Sequence, residues 1–205
     1  MTNTDEVETS RWMEMAREKP DHSSWYVERF RAMAAAGDDL AGEARFVDAM
    51  VARGARILDA GCGPGRVGSA LAQLGHTVVG IDVDPFLVAA AEEDHPGPAW
   101  IVGDLAELDL SAHGITEGFD AIVCAGNVLP FLAPSTRVTV IERFAAHLHT
   151  DGRVVVGFGA GRGYAFDAFL ADVELGGLTP ELLLESWDLH PFTAASTFLV
   201  AILGH

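Results

Sequence analysis

Residues 57–66 read Ile-Leu-Asp-Ala-Gly-Cys-Gly-Pro-Gly-Arg, and this stretch restricts the fold more than any other in the chain. A mainly apolar run (Ala55, Arg56, Ile57, Leu58) ends in Asp59, three glycines follow at alternate positions (Gly61, Gly63, Gly65), and a helical pattern starts directly after them. Glycine lets a backbone turn sharply and approach a ligand closely, because there is no Cβ to clash. The N-terminus of the next helix points unpaired N–H groups into the same space. A strand, a glycine turn and a helix in this order make a cradle for a small molecule.

The pattern around the turn gives the rest of the architecture. Strands are predicted at 55–59, 76–82, 98–103, 119–125 and 153–158, the last entered through the turn Thr150-Asp151-Gly152. Helices are predicted between them at 66–74, 85–93 and 135–148. Such alternation implies a parallel sheet with helices on both faces. After a helix at 165–175, two further strands are predicted at 182–189 and 196–203, joined only by residues 190–195. A parallel crossover needs about a dozen residues or more, so this pair is expected to be antiparallel. The fold class is therefore α/β, mostly parallel with one antiparallel strand near the sheet edge.

Ahead of the turn the period is helical. A helix over 5–19 ends at Pro20. A second runs to Ala36, with Ser23 and Ser24 as cap candidates and Gly37 closing it. A third starts at Asp38 and stops at Gly54. No repeat or linker divides the chain, so we expect one domain over 1–205, with 1–54 as a helical cover on a core at 55–205.

Composition narrows the function. The formal charge of −17 over 205 residues opposes a phosphate polymer, and the Lys and Arg residues are scattered rather than clustered. Nucleic acid is thus not the expected partner. No apolar run approaches the ~20 residues of a membrane span, and the acidic start Met1-Thr2-Asn3-Thr4-Asp5-Glu6 fits neither a signal nor a transit peptide. Cys62 and Cys124 give no disulfide framework and no metal cluster, which suits a reduced cytoplasm.

Literal matching leaves the ligand open between two cofactors. Gly63 to Gly68 fits G-x-G-x-x-G, a dinucleotide fingerprint, whereas Asp59 to Gly65 fits D-x-G-x-G-x-G. The surrounding acids decide. A carboxylate at Asp59, inside the turn, is unfavourable beside a pyrophosphate and favourable beside a cationic ligand. The second strand ends in Asp82, where an acid can accept from ribose hydroxyls. The third ends in Gly103-Asp104-Leu105, where an acid can accept from an adenine amine. The fourth ends in Ala125-Gly126-Asn127. Ligands of parallel sheets gather at the carboxyl ends of the strands, and all of these positions fall there.

With these motifs in order, the chain resembles a class I S-adenosylmethionine (SAM)-dependent methyltransferase of the small-molecule, bacterial type. The matching segments are 57–66, Val78-Val79-Gly80-Ile81-Asp82, Val102-Gly103-Asp104-Leu105, 119–128 and 149–156. The resemblance implies a Rossmann-like, seven-stranded sheet, SAM as methyl donor, and methyl transfer to a small-molecule acceptor. It implies that Gly61, Gly63 and Gly65 line the methionine part, with Asp59 orienting its amine and Cys62 and Arg66 in the same loop. It places Asp82 at the ribose, Val83 beside adenine, and Gly103, Asp104 and Leu105 at the adenine edge. Ala125, Gly126 and Asn127 then pass beside the methionine and its methyl group. A non-catalytic SAM-binding protein and an NAD-dependent oxidoreductase are the competing readings, and no Tyr/Lys or His/Asp pairing supports the second.

Methyl transfer is an in-line displacement in which positioning and desolvation do most of the work, and a protein base is needed only where an O–H or N–H must lose its proton. Candidates for direct chemistry on the carboxyl edge are His22, Tyr26, Arg162, Tyr164 and His190. Each has a plainer reading: a helix start for His22, packing for Tyr26 and Tyr164, a helix cap for Arg162, a strand end for His190. Trp25, Phe131, Tyr164, Phe166 and Trp187 are candidates for the acceptor wall. No metal is expected.

Overall fold

The structure, a computed structural model, describes residues 8–205. Its centre is one seven-stranded sheet in the order β3-β2-β1-β4-β5-β7-β6. The strands are β1 (Arg56–Ala60), β2 (Thr77–Asp82), β3 (Ala99–Val102), β4 (Phe119–Cys124), β5 (Leu148–Gly159), β6 (Thr179–Leu184) and β7 (Phe198–Gly204). β1 to β5 pair in parallel, and β7 runs antiparallel to both β5 and β6. The strand order reverses between β1 and β4, so the carboxyl ends of these two strands flank the switch point where ligands bind.

Alternation along each strand sends side chains to two cores. Leu58, Val79, Ile122, Val154 and Leu199 face one side, under α7 (Arg137–His147) and α8 (Phe166–Leu175). Ile57, Val78, Ala121, Val155 and Val200 face the other, under α3 (Gly42–Met50) and α4 (Arg66–Gln73). Strands with both faces covered read as continuous apolar runs, and this is why β4 and β5 stand out so clearly in the sequence. Phe144 and Phe158 are fully buried here, and truncating either to Ala is expected to cost about 3–5 kcal/mol. α5 (Pro85–Asp94) lies beyond β2, with Val88 and Ala91 on Trp100 and Cys62.

Several boundaries differ from the sequence expectation, each for a local reason. α1 covers Arg11–Glu18, capped by Ser10. Of the helix expected from residue 5, positions 5–7 lie outside the described residues. α2 covers His22–Ala35 with Asp21 at its cap position, and neither Ser23 nor Ser24 caps it. α3 begins at Gly42 rather than Asp38, because the Asp39 carboxylate accepts from the Ala41 amide (3.1 Å) and from Arg45 (2.8 and 2.7 Å) and holds a turn there.

The turn expected at 150–152 is absorbed into β5. The register jumps from Phe119 opposite Leu148 to Ala121 opposite Arg153, so the extra residues bulge out of the ladder. A Cβ on Gly152 would stand 2.7 Å from the Phe119 carbonyl oxygen, so only glycine fits that bulge. β6 occupies 179–184 instead of 182–189. Beyond Leu184 the chain turns back, with the Glu185 amide bonded to the His190 carbonyl (2.8 Å) and Leu189 at φ +72°. The antiparallel pairing itself is as expected.

Candidate functional site

The glycine turn leaves β1 and is fixed to the neighbouring strand. The amides of Gly61 and Cys62 both donate to the Ile81 carbonyl, at 2.8 and 3.0 Å, and the Gly63 amide donates to Asp82 Oδ2 at 2.9 Å. Gly61 has φ +76°, and a Cβ there would stand 2.4 Å from Val128 Cγ2. Gly65, at φ +82°, starts α4. Gly68 lets α4 come so close to β1 that its amide donates to Asp59 Oδ2 at 2.7 Å. The G-x-G-x-x-G match thus has a packing cause in helix–strand approach rather than in a pyrophosphate.

A cavity of about 540 Å³ opens over this turn, within the range of small-ligand sites. Its floor is made by Gly61, Gly63 and Asp82, with Val83, Asp104 and Leu105 at one end and Ala125, Gly126 and Asn127 at the other. These are the carboxyl ends of β1, β2, β3 and β4. Asn127 sits at φ +67°, and its Oδ1 accepts from the Gly159 amide at 2.8 Å, which ties the end of β4 to the end of β5.

The remaining loop residues do other work. Asp59 is 2% exposed, lies beneath the turn and does not line the cavity. Burial raises its pKa to about 7, against the lowering effect of the Gly68 bond. Cys62 faces away, onto Val88, Ala91 and Trp100, and Gly65 packs against the same tryptophan. Gly103 sits under Ile81. Arg66 turns from the cavity to the cover: it makes a bidentate pair with Glu43 (2.7 and 2.6 Å), donates to the Leu40 carbonyl (2.6 Å), and stacks over Phe30. Its role is to bind α3 to the start of α4. A second hollow of about 480 Å³ lies behind the turn, but its two arginines, Arg31 and Arg66, are already paired with carboxylates.

Asp82 carries the strongest electrostatic constraint facing the cavity. Its oxygens accept from the Gly63 and Asp84 amides, both at 2.9 Å. Burial still raises its pKa to about 6, and the nearby Asp84 charge adds to that. A ligand offering two hydroxyl donors would favour the ionised form. Asp104 accepts from the Ala106 amide with Oδ1 (2.9 Å). The floor therefore combines a turn that tolerates no Cβ at Gly61, a half-satisfied pair of acids at one end, and a fixed amide side chain at the other. That set fits a ligand with an adenosine-like end and a slender aliphatic end.

The roof comes from α1, α2 and α6 (Val128–Phe131). Trp12 is its centre, with ring centroids 4.8 Å from His22, 5.1 Å from Tyr26 and 5.8 Å from Phe131. Among the chemical candidates, His22, Tyr26 and Arg162 line the cavity. His22 Nε2 is shielded from solvent and has no hydrogen-bond partner among the described residues. Burial raises the Tyr26 pKa, so its hydroxyl stays protonated.

Tyr164 and His190 are not brought to the cavity. Tyr164 is buried between Phe158 and Phe169, with its hydroxyl donating to Asp172 (2.6 Å) and Arg137 over its ring (3.9 Å). His190 is exposed, 3.5 Å from Asp188. Of the expected wall residues, Trp25 and Phe131 line the cavity. Phe166 packs on Phe158 and Phe192, and Trp187 packs on Phe46 on the α3 face of the sheet. Sequence reasoning passed over Asp84, whose only visible signal was a helix cap before Pro85, and gave Trp12 no role at the site. Among the described residues no group of three or more His, Cys, Asp and Glu side chains is placed to hold a metal ion. No helix among them is long and apolar enough to cross a membrane.

Known proteins are similar to this chain in sequence and fold. The profile of a methyltransferase domain matches residues 57–152. A crystal structure of a TehB-like SAM-dependent methyltransferase from Corynebacterium glutamicum is 49% identical, covering 91% of this chain and 99% of that one, with a TM-score of 0.85. A dTDP-3-amino-3,6-dideoxy-alpha-D-glucopyranose N,N-dimethyltransferase from Streptomyces fradiae is 32% identical over 125 residues, 58% of this chain. A magnesium-protoporphyrin O-methyltransferase from Rhodobacter capsulatus is 33% identical over 86 residues, 40% of this chain. The chain matches 47% and 36% of the length of these two enzymes.

Proposed function

The chain belongs to the SAM-dependent methyltransferases, and from that premise we propose that it transfers the methyl group of SAM to a small molecule held under the aromatic roof. The observation that carries this reading is the convergence of Gly61, Gly63, Asp82, Asp104 and Asn127 on one cavity closed by Trp12, Trp25 and Phe131. When bound, SAM supplies a methyl carbon already activated by its sulfonium. The residues of the chain do the rest. Gly61 and Gly63 would admit the methionine part, Asp82 would accept from the ribose hydroxyls, and Val83, Asp104 and Leu105 would hold the adenine. With an acceptor bound beneath it, the roof would shield the reacting centre from water, which favours displacement at carbon.

His22 and Tyr26 are cavity groups able to touch a proton-bearing acceptor, and Arg29 and Arg162 are the cations able to meet an anionic one. The roof residues favour an acceptor with an apolar or aromatic body. The charge of −17 argues for a small acceptor rather than nucleic acid. The cover at 1–54 and the core at 55–205 act in this reading as one domain, because α1 and α2 of the first complete the roof over a floor from the second. Two free, buried cysteines suit a cytoplasmic setting.

Isothermal titration with SAM, S-adenosylhomocysteine (SAH) and NAD tests the cofactor. SAM and SAH are expected to bind on the order of micromolar, or about −8 kcal/mol, and NAD not at all. Labelled SAM with a panel of phenols, amines and amino sugars then tests transfer. NAD binding in place of SAM would overturn the reading, and SAM binding without transfer to any acceptor would reduce it to a SAM-binding protein.

A further inference from the structure

Asp84 is a buried carboxylate that helix capping explains only in part. It is 4% exposed. Its Oδ1 caps α5 by accepting from the Phe86 amide at 2.9 Å. Its Oδ2 leaves that element altogether. It accepts from the Trp12 indole Nε1 at 2.9 Å and from the Ser23 hydroxyl. The Asp84 amide donates to Asp82 Oδ1 at 2.9 Å. One residue therefore holds α1, α2 and the carboxylate at the expected ribose end. A cap needs one oxygen and tolerates Ser or Asn equally well, so the second oxygen points to a further role.

α1 depends on this bond more than its neighbours do. It is eight residues long and has no buried residue of its own. An isolated helix of that length is unstable in water. Just ahead of it Glu8 accepts from the Ser135 amide and hydroxyl (3.1 and 2.6 Å), and within the helix the tie to the core is the Trp12 side chain, which meets Asp84 at its N–H and His22, Tyr26 and Phe131 at its ring faces and edges. Charge-assisted hydrogen bonds of this kind are the stronger ones.

We propose that Asp84 is a positioning residue for the acceptor side of the reaction. It fastens Trp12 to the loop that carries Asp82, so a ligand held on Asp82 and the acceptor wall are coupled through one side chain. This rests on the methyltransferase reading above. Asp84 touches neither cofactor nor acceptor and acts through Trp12 and Ser23.

Amide hydrogen exchange over residues 11–18, with and without SAH, reads this directly, because exchange reports local opening. In the unaltered protein SAH is expected to slow exchange there about tenfold. Asp84→Ala is expected to bind SAH still, with the slowing at 11–18 lost. Asp84→Asn, whose single oxygen can cap α5 but leaves an NH2 group facing the indole N–H, is expected to lose it as well. Trp12→Phe breaks the same bond from the α1 side and leaves the cofactor loop unaltered, so it covers the case in which Asp84→Ala fails to fold. It too is expected to lose the slowing. Slowing that persists in Asp84→Ala and Trp12→Phe would overturn the proposal, as would its absence in the unaltered protein. Calorimetry on the same samples separates the two levels of failure. SAH that binds without slowing exchange overturns only the role of Asp84. SAH that fails to bind at all overturns the methyltransferase reading, and this proposal with it.

Discussion

Replacing Asp59 with Asn tests the electrostatics beneath the glycine turn. Burial holds the folded-state pKa of Asp59 at about 7, against an ordinary value of 3.8. The sign follows from proton binding. Between these values the folded chain keeps a proton that the unfolded chain has released, so stability falls as pH rises. The favourable contribution is complete below 3.8 and is lost as pH passes about 7. At about 1.4 kcal/mol per pH unit the whole window is worth about 4 kcal/mol, and the part between pH 5 and 8 about 3 kcal/mol.

Asn is neutral at every pH and keeps an oxygen for the Gly68 amide, which Asp59 accepts from at 2.7 Å. Urea unfolding of both proteins at pH 5 and pH 8 gives the double difference. The unaltered protein is expected to lose about 3 kcal/mol more than Asp59→Asn over that interval. Because Asp59 lies off the cavity wall, SAM affinity is expected to stay within about threefold, a change under 1 kcal/mol. An equal pH dependence in the two proteins would refute the argument that burial dominates this carboxyl.

Three further substitutions probe the site. Asp82→Ala removes the acceptor of the Gly63 and Asp84 amides as well as the expected ribose contact, and calorimetry should show SAM binding weakened by about 1–3 kcal/mol. Gly61→Ala places a Cβ 2.4 Å from Val128 Cγ2 at φ +76°, so denaturant unfolding should show a loss of about 2–4 kcal/mol from overpacking and left-handed strain together. Adding Val128→Ala should recover the overpacking part only. Tyr164→Phe should lower stability by about 1 kcal/mol through the Asp172 bond and leave SAM affinity unchanged, as should His190→Ala for affinity, since neither residue reaches the cavity.

The sequence carried the frame of this site and little of its roof. β1, β2 and β4 are buried on both faces, so their apolar runs and terminal polar residues were visible as a pattern, and Asp82, Asp104 and Asn127 reached the cavity as the strand ends required. Within the loop the reading failed wherever two roles share one spacing. Cys62, Gly65 and Arg66 sit beside the cradle glycines, yet they face α5, Trp100 and the cover. Spacing locates a loop but does not say which side of it a residue faces. The C-terminal hairpin shifted because Leu189 looks like a strand residue, while the strand ends at Leu184, its register set by pairing with β7 and by a turn closed between Glu185 and His190. Asp84 was illegible for another reason. Its partners Trp12 and Ser23 are 72 and 61 residues away, and no local pattern reports a bond across that distance.

The central claim is that the cavity at the carboxyl ends of β1, β2, β3 and β4 holds SAM, with its adenosine at the acidic end. A crystal structure of the protein with SAH tests it most directly. Ribose hydroxyls are expected on Asp82, adenine between Val83 and Leu105 with its amine toward Asp104, and the homocysteine chain over Gly61 and Gly63 toward Asn127. SAH bound in the hollow behind Arg66, or in this cavity with its adenine at the Asn127 end, would contradict it.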